Sequence, residues 1–333
     1  MMIGKILLKL SVALICFWCV DAKAQSANTI SQDLPFHFSI DAERSSYQPG
    51  DLSYLGSRVG AGPIRFGLVT EDDRLDVSGI NLGLVYQLPS YQIQTQIGYG
   101  FGDDQQSFGT IDLGGPTLIV PGTGIGSSGI GFGFPGPTNE ITNGVLRRDF
   151  RQQNFEIAIE KTPYILSDKV SLAPALGFKY NRTETDNFFG GDLPSAGADS
   201  FFYNTEMSVQ SFSPIAKLSL DYLLHPKIKL NASAYYAYDF NIGDGTDQLT
   251  LIGSIAAGTQ RADLDNNDST HSYGFRAGAQ IPLQKNLDLS LDLFYDAIGN
   301  TPELDLRTGS NVSAFDYERT SQYGGRIGFT LKF

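Results

Sequence analysis

Period-two alternation of apolar and polar residues, recurring along the chain from about residue 36, is the feature that most constrains the fold. Successive side chains of an extended strand point to opposite faces, so alternation of this kind builds two-faced sheets and does not suit a helix. Ile80, Leu82, Leu84, Tyr86 and Leu88 alternate with Asn81, Gly83, Val85 and Gln87; after Pro89-Ser90 the pattern resumes at Tyr91 and runs through Ile93, Thr95, Ile97 and Tyr99 to Phe101. Two runs separated by two turn residues read as a tight hairpin. The same pattern returns in Phe155 to Ile159, Leu172 to Tyr180, Leu218 to Leu224, Ile228 to Phe240, Tyr273 to Leu283, Leu287 to Tyr295 and Tyr323 to Phe333.

The connections alternate as well. Short ones (89–90, 162–169, 225–227, 284–286) take turns with long polar ones (102–148, 181–205, 241–270, 297–319). A soluble sandwich has no need to gather its long connections at one end, whereas a membrane-spanning barrel has short turns on one side and long loops on the other. Tyr and Phe cluster near the ends of the apolar runs, as at Tyr91, Phe101, Tyr180, Tyr236 and Tyr295, where they would form interfacial girdles. The expected fold is therefore all-β, a transmembrane antiparallel up-and-down barrel.

Residues 1–24 have Lys5 and Lys9, an apolar run from Leu10 to Val20, and Ala22-Lys23-Ala24, the form of an export leader cleaved after Ala24. Cys16, Cys19 and Trp18 all fall inside it, so the mature chain would have no disulfide and no tryptophan. Loss of Lys5, Lys9, Lys23 and Asp21 takes the formal charge from −12 to about −14. That balance excludes a nucleic-acid binder, which needs a basic face. The expected division is a leader at 1–24, a periplasmic tail at 25–35 and a barrel at 36–333 carrying the long Gly-rich loop 102–148.

The final segment, Tyr323-Gly-Gly-Arg-Ile-Gly-Phe-Thr-Leu-Lys-Phe333, resembles the C-terminal assembly signal of bacterial outer-membrane β-barrel proteins. The resemblance implies an outer-membrane location amid lipid and lipopolysaccharide, and insertion by the barrel-assembly machinery with Phe329, Leu331 and Phe333 as the recognised side chains. Barrels of that family have even strand numbers. Ten strands count back from Phe333 to 62–69; the further alternation at 36–43 demands a partner, for which 52–60 is the candidate. Twelve strands are favoured, with ten as the alternative, in which 36–43 is a periplasmic or rim segment.

The positions between the outward apolar rows carry Glu156, Glu160, Asp221, Asp239, Asp288 and Asp292 against Lys179, Lys217, Lys229, Arg276, Arg326 and Lys332. Six acids facing six bases can pair across a narrow lumen or line a hydrated channel. The excess acid then belongs to the loops: Glu71, Asp72, Asp73 and Asp76, Asp103 and Asp104, and Asp263, Asp265 and Asp268. Asp265-Asn266-Asn267-Asp268 lacks the Gly and terminal Glu of an EF-hand, and Gly114 to Gly136 lacks the strand-then-helix context of a nucleotide loop. No metal or cofactor is expected. Of His37, His225 and His271, only His271 lies near the outer rim, and the Asp-x-His pair and Trp-rich wall of omptin-type proteases are absent. The expectation is not an enzyme but a small porin-like channel for small solutes; the alternative is a structural or surface-interaction barrel with a closed, charge-paired lumen, and the least favoured reading is a rim-located outer-membrane hydrolase, of protease or lipase type, at His271.

Overall fold

The computed structural model describes residues 36–50, 53–57, 65–69, 74–112, 117–119, 131–133, 140–193, 198–225, 228–253, 258–306 and 313–333. The leader with its cleavage site at Ala24, the 25–35 tail, Glu71 to Asp73 and most of Gly114 to Gly136 lie outside these residues. Ten long strands form the wall: β1 (Phe36–Tyr47), β2 (Leu75–Gln87), β3 (Tyr91–Phe108), β4 (Glu140–Lys161), β5 (Val170–Leu193), β6 (Ala198–His225), β7 (Ile228–Gly253), β8 (Gly258–Gln284), β9 (Leu287–Leu306) and β10 (Ser313–Lys332). Each pairs antiparallel with its neighbours in chain order, and β1 pairs with β10 from His37↔Lys332 to Tyr47↔Gln322, so the ring closes. Closure satisfies every edge, which an open sheet crossing lipid could not do.

The ring therefore realises ten of the two strand counts, with one exchange of membership. Residues 36–43 are a wall strand and not a rim segment, because Phe36–Tyr47 pairs on both sides, with β10 and β2. The extra pair of the twelve-strand reading is not in the wall. Ser53–Ser57 and Arg65–Val69 join Thr117–Ile119 and Gly131–Gly133 in a separate four-stranded sheet. The edge of β1 is already occupied by β2 when the chain leaves Tyr47, so Ser53–Ser57 and Arg65–Val69 pair with each other at the far end and not with the wall.

The long polar connections also differ from the expectation. Much of 102–148, 181–205, 241–270 and 297–319 is strand, and β6 reaches 28 residues. At a tilt of about 45° such a strand rises roughly 65 Å, against about 25 Å for an apolar band. The band occupies the half nearer the short turns, where Ile80, Ile97, Ile157, Leu218, Leu293 and Ile327 are exposed on the outer wall, Leu293 at 70%. The eleven residues Tyr91 to Phe101 cover it on β3, about 23 Å.

Beyond the upper aromatic residues the pattern changes phase. On β4, Phe155, Ile157 and Ile159 face out below, but Leu146 and Phe150 face in above while Arg147, Asp149 and Arg151 face out. On β6, Leu218 and Leu220 face out below, and Phe201, Tyr203, Met207 and Val209 are buried above. One strand thus serves two environments: lipid selects apolar residues outside, and water selects them inside.

Candidate functional site: the barrel lumen

The expected lumen charges stand in the inward rows of the wall. Nearest the short turns, Lys229 Nζ lies 2.9 Å from Asp221 Oδ2 and Lys332 Nζ lies 2.8 Å from Asp288 Oδ2. One level deeper, Gln92 and Ser219 donate hydrogen bonds to the two carboxylate oxygens of Glu160, and Lys217 Nζ stands 3.9 Å from Glu156. Lys179 sits over the Tyr235 ring at 5.6 Å. Asp239 is buried, has no cation at ion-pair distance among the described residues, and accepts 2.5 Å hydrogen bonds from the hydroxyls of Ser213 and Ser272.

Arg326 takes its partner from outside the expected set. Its Nε donates to Glu43 at 2.7 Å, and Asn81 donates to the same carboxylate oxygen at 2.9 Å. Both charged side chains are about nine-tenths buried, and the guanidinium of Arg326 covers the Phe294 ring at 4.8 Å. Glu43, Asp41 and Asp296 are further inward acids, and higher up Asp104 pairs with the buried Arg148 at 2.9 Å. The first two are legible in the 36–43 alternation once that segment is counted as wall; Asp296 falls where the apolar row of β9 ends, which hid its facing.

Two cavities meet at mid-height. One of about 330 Å³ opens toward the short turns, and one of about 50 Å³ lies above it. Gln96, Glu156, Arg276 and Arg326 line both and so make up the partition between them. Higher still, Tyr47, Leu75, Val77 and Phe150 are buried together with Ile298 packed against them, the Tyr47 and Phe150 rings 4.3 Å apart. Along the lumen an ionic partition thus lies below an apolar cluster.

Phe329, Leu331 and Phe333 face outward on the last strand, and the Phe333 backbone N–H donates to the Phe36 carbonyl at 2.8 Å. His271 points to the outer wall between Tyr236 and Tyr238, its Nδ1 2.5 Å from the Tyr236 hydroxyl, away from the lumen and from Asp239. Asp265 and Asp268 fall on opposite faces of β8 and do not converge. Among the described residues no group of three or more His, Cys, Asp or Glu side chains is placed to hold a metal ion.

Outside the band, on the upper outer wall, Asp103, Asp149, Asp186 and Glu206 stand side by side on β3 to β6. Burial raises the Asp186 carboxyl above the usual carboxylate range, and the adjacent Glu206 and Asp149 add to the shift.

No protein-family model matches the chain, and no curated protein does. Solved structures that align with it include the outer-membrane protease OmpT from Escherichia coli (12% identity, 92% of this chain and 100% of that one, TM-score 0.45). Neisserial surface protein A, NspA, aligns at 9% identity over 90% and 97% of the two chains with TM-score 0.31. The toluene transporter TodX from P. putida aligns at 9% identity over 91% of each with TM-score 0.29. These are all outer-membrane barrels, and they differ among themselves in activity. The barrel architecture of the present chain stands on its own closed ring and apolar band.

Proposed function

We propose that the protein is an outer-membrane barrel of the structural or surface-interaction kind, its lumen closed and its wall extended outward as a rigid support for the far-end sheet. The exposed apolar band supports the membrane location, and the short turns, with Phe36 and Phe333 at the same side, support a periplasmic orientation for that side. The outward Phe329, Leu331 and Phe333 suit recognition by the barrel-assembly machinery, and export with cleavage after Ala24 belongs to the same reading. The partition of Gln96, Glu156, Arg276 and Arg326 beneath the Tyr47–Phe150 plug carries the proposal. A polar solute crossing this lumen would have to break the Glu43–Arg326 pair and then pass the mainly apolar cluster around Phe150, where the Tyr47 hydroxyl is already bonded to Thr301.

A small-solute channel is the second reading, favoured by the 330 Å³ cavity that leads in from the periplasmic end. Planar-bilayer recording of the refolded protein separates the two. Silence is expected of the native chain, and discrete conductance steps at neutral pH would overturn the closed-barrel reading. We read the barrel as non-enzymatic, since His271 lies on the lipid-side girdle, where it has no acid or nucleophile from the lumen within reach.

A further inference from the structure

The lower cavity has a feature that closure alone does not require. Arg276 reaches from β8 to the partition and lines both cavities; Asp296, Glu156 and Glu43 act on its charge from beyond ion-pair distance, but among the described residues none makes a direct ion pair or hydrogen bond with it, and its Nε is buried without an acceptor. A buried guanidinium normally has a carboxylate or carbonyl across from it, because leaving its donors unsatisfied is costly. The other partition cation, Arg326, is bound to Glu43. Two carboxylates lining the same cavity are likewise without a cation at ion-pair distance among the described residues: Asp41, which accepts a hydrogen bond from Ser290 at 3.3 Å, and Asp292.

The wall is shaped to keep these acids where they are. Asp292 Oδ1 lies over the inward face of Gly278, and Asp41 Oδ1 over that of Gly328, each close enough that a Cβ on the glycine would collide with it. Both carboxylates therefore lie flat against the wall beside the open volume. Asp292 pairs in register with Gly278, two residues from Arg276, so the acid and the base sit on adjacent strands about one level apart. The volume of about 330 Å³ is at the small end of ligand pockets; its other charged residues are engaged in the Lys217–Glu156, Lys229–Asp221 and Arg326–Glu43 pairs and in the hydrogen bonds to Glu160, and amides and hydroxyls such as Gln94, Ser219 and Asn231 line the rest of its polar surface.

We infer that this cavity is a binding site, entered from the periplasm, for a small zwitterion: a free amino acid or short peptide whose carboxylate meets Arg276 and whose ammonium meets Asp292 and Asp41. The planar fork of Arg276 suits a carboxylate, and the depth order places the anionic end of the ligand inward. Binding here does not require passage through the partition, so the site stands whether or not the barrel conducts.

Isothermal titration of the refolded, full barrel in detergent tests it, with L-glutamine as the probe. Saturable one-to-one binding is expected, weakened at least about tenfold in L-glutaminamide, which lacks the carboxylate, and in N-acetyl-L-glutamine, which lacks the ammonium. Arg276→Gln and Asp292→Asn are expected to give losses of the same size. Should Arg276→Gln fail to refold, the two ligand analogues still decide the matter on the native protein. No heat with L-glutamine, or equal binding of the two analogues and the parent, overturns the inference. Binding that survives both substitutions does so as well.

Discussion

Removing the charge from Glu43 should weaken the barrel through Arg326, and the size of the effect follows from the geometry. The two side chains are about nine-tenths buried and 2.7 Å apart, so solvent screens them little. Removing one member of a buried pair typically costs about 3–5 kcal/mol because the other is left uncompensated. In Glu43→Gln the amide keeps a neutral hydrogen bond to Arg326 or Asn81, which places the cost near the lower end, about 3 kcal/mol. Arg326→Met should cost a similar amount, since Glu43 then retains only Asn81. The double variant removes both charges and preserves volume, so its loss should also be about 3 kcal/mol, giving a coupling of roughly 2–3 kcal/mol. Reversible urea unfolding in lipid vesicles, followed by far-ultraviolet circular dichroism, reads all four proteins. Additive losses, with a coupling below about 0.5 kcal/mol, would refute the partition as an electrostatic unit.

Three other outcomes test separate parts of the wall. Phe150→Ala should cost about 3–5 kcal/mol by opening a cavity beside Tyr47, seen as a lower urea midpoint with unchanged strand content. Leu293→Arg, on the most exposed apolar position of the band, should cost about 2–4 kcal/mol in vesicles, while Ile242→Arg, above the band, should be nearly neutral. The third concerns pH. Because the Asp186 carboxyl is raised in the folded state, its contribution is favourable when protonated at low pH and is lost as pH rises through the raised value. Asp186→Asn should therefore raise the unfolding free energy at pH 7, read from urea titration, by about 0.2–1 kcal/mol for the relief of cross-strand repulsion, and the gain should vanish below about pH 3.8.

The wall was legible because lipid imposes a simple rule on sequence. Apolar residues every second position, with Tyr and Phe at the ends, mark β2 to β10 where they cross the band. Strand number was harder, since Phe36 to Ala42 and Ile64 to Leu68 show the same local alternation. What separates them is long-range: Phe36–Tyr47 has both neighbours within reach, and Arg65–Val69 finds its partner in Ser53–Ser57 instead. Periodicity describes one strand at a time and has no information about which edge is still open.

The upper barrel was misread as loop for a different reason, and it bears on function. A search for outward apolar rows stops where the strands leave the band, yet hydrogen bonding continues wherever a second strand lies alongside. The signal that could have found the continuation is the phase change itself: apolar residues at 155, 157 and 159 of β4 shift to 146 and 150, and those at 212, 218 and 220 of β6 shift to 201, 203, 207 and 209. A shift between odd and even positions within one uninterrupted strand means that the solvent has changed sides. Applied to Tyr47, Leu75, Val77 and Phe150, the same rule places their side chains inside the barrel above the band, where they pack on one another and exclude water. The inward charges by themselves are compatible with a hydrated channel. The apolar residues above them favour the proposed closed lumen, because an aqueous path has no use for a buried Phe150 packed at a tilt on Tyr47, so the support for closure comes from the second phase of the pattern and not from the first.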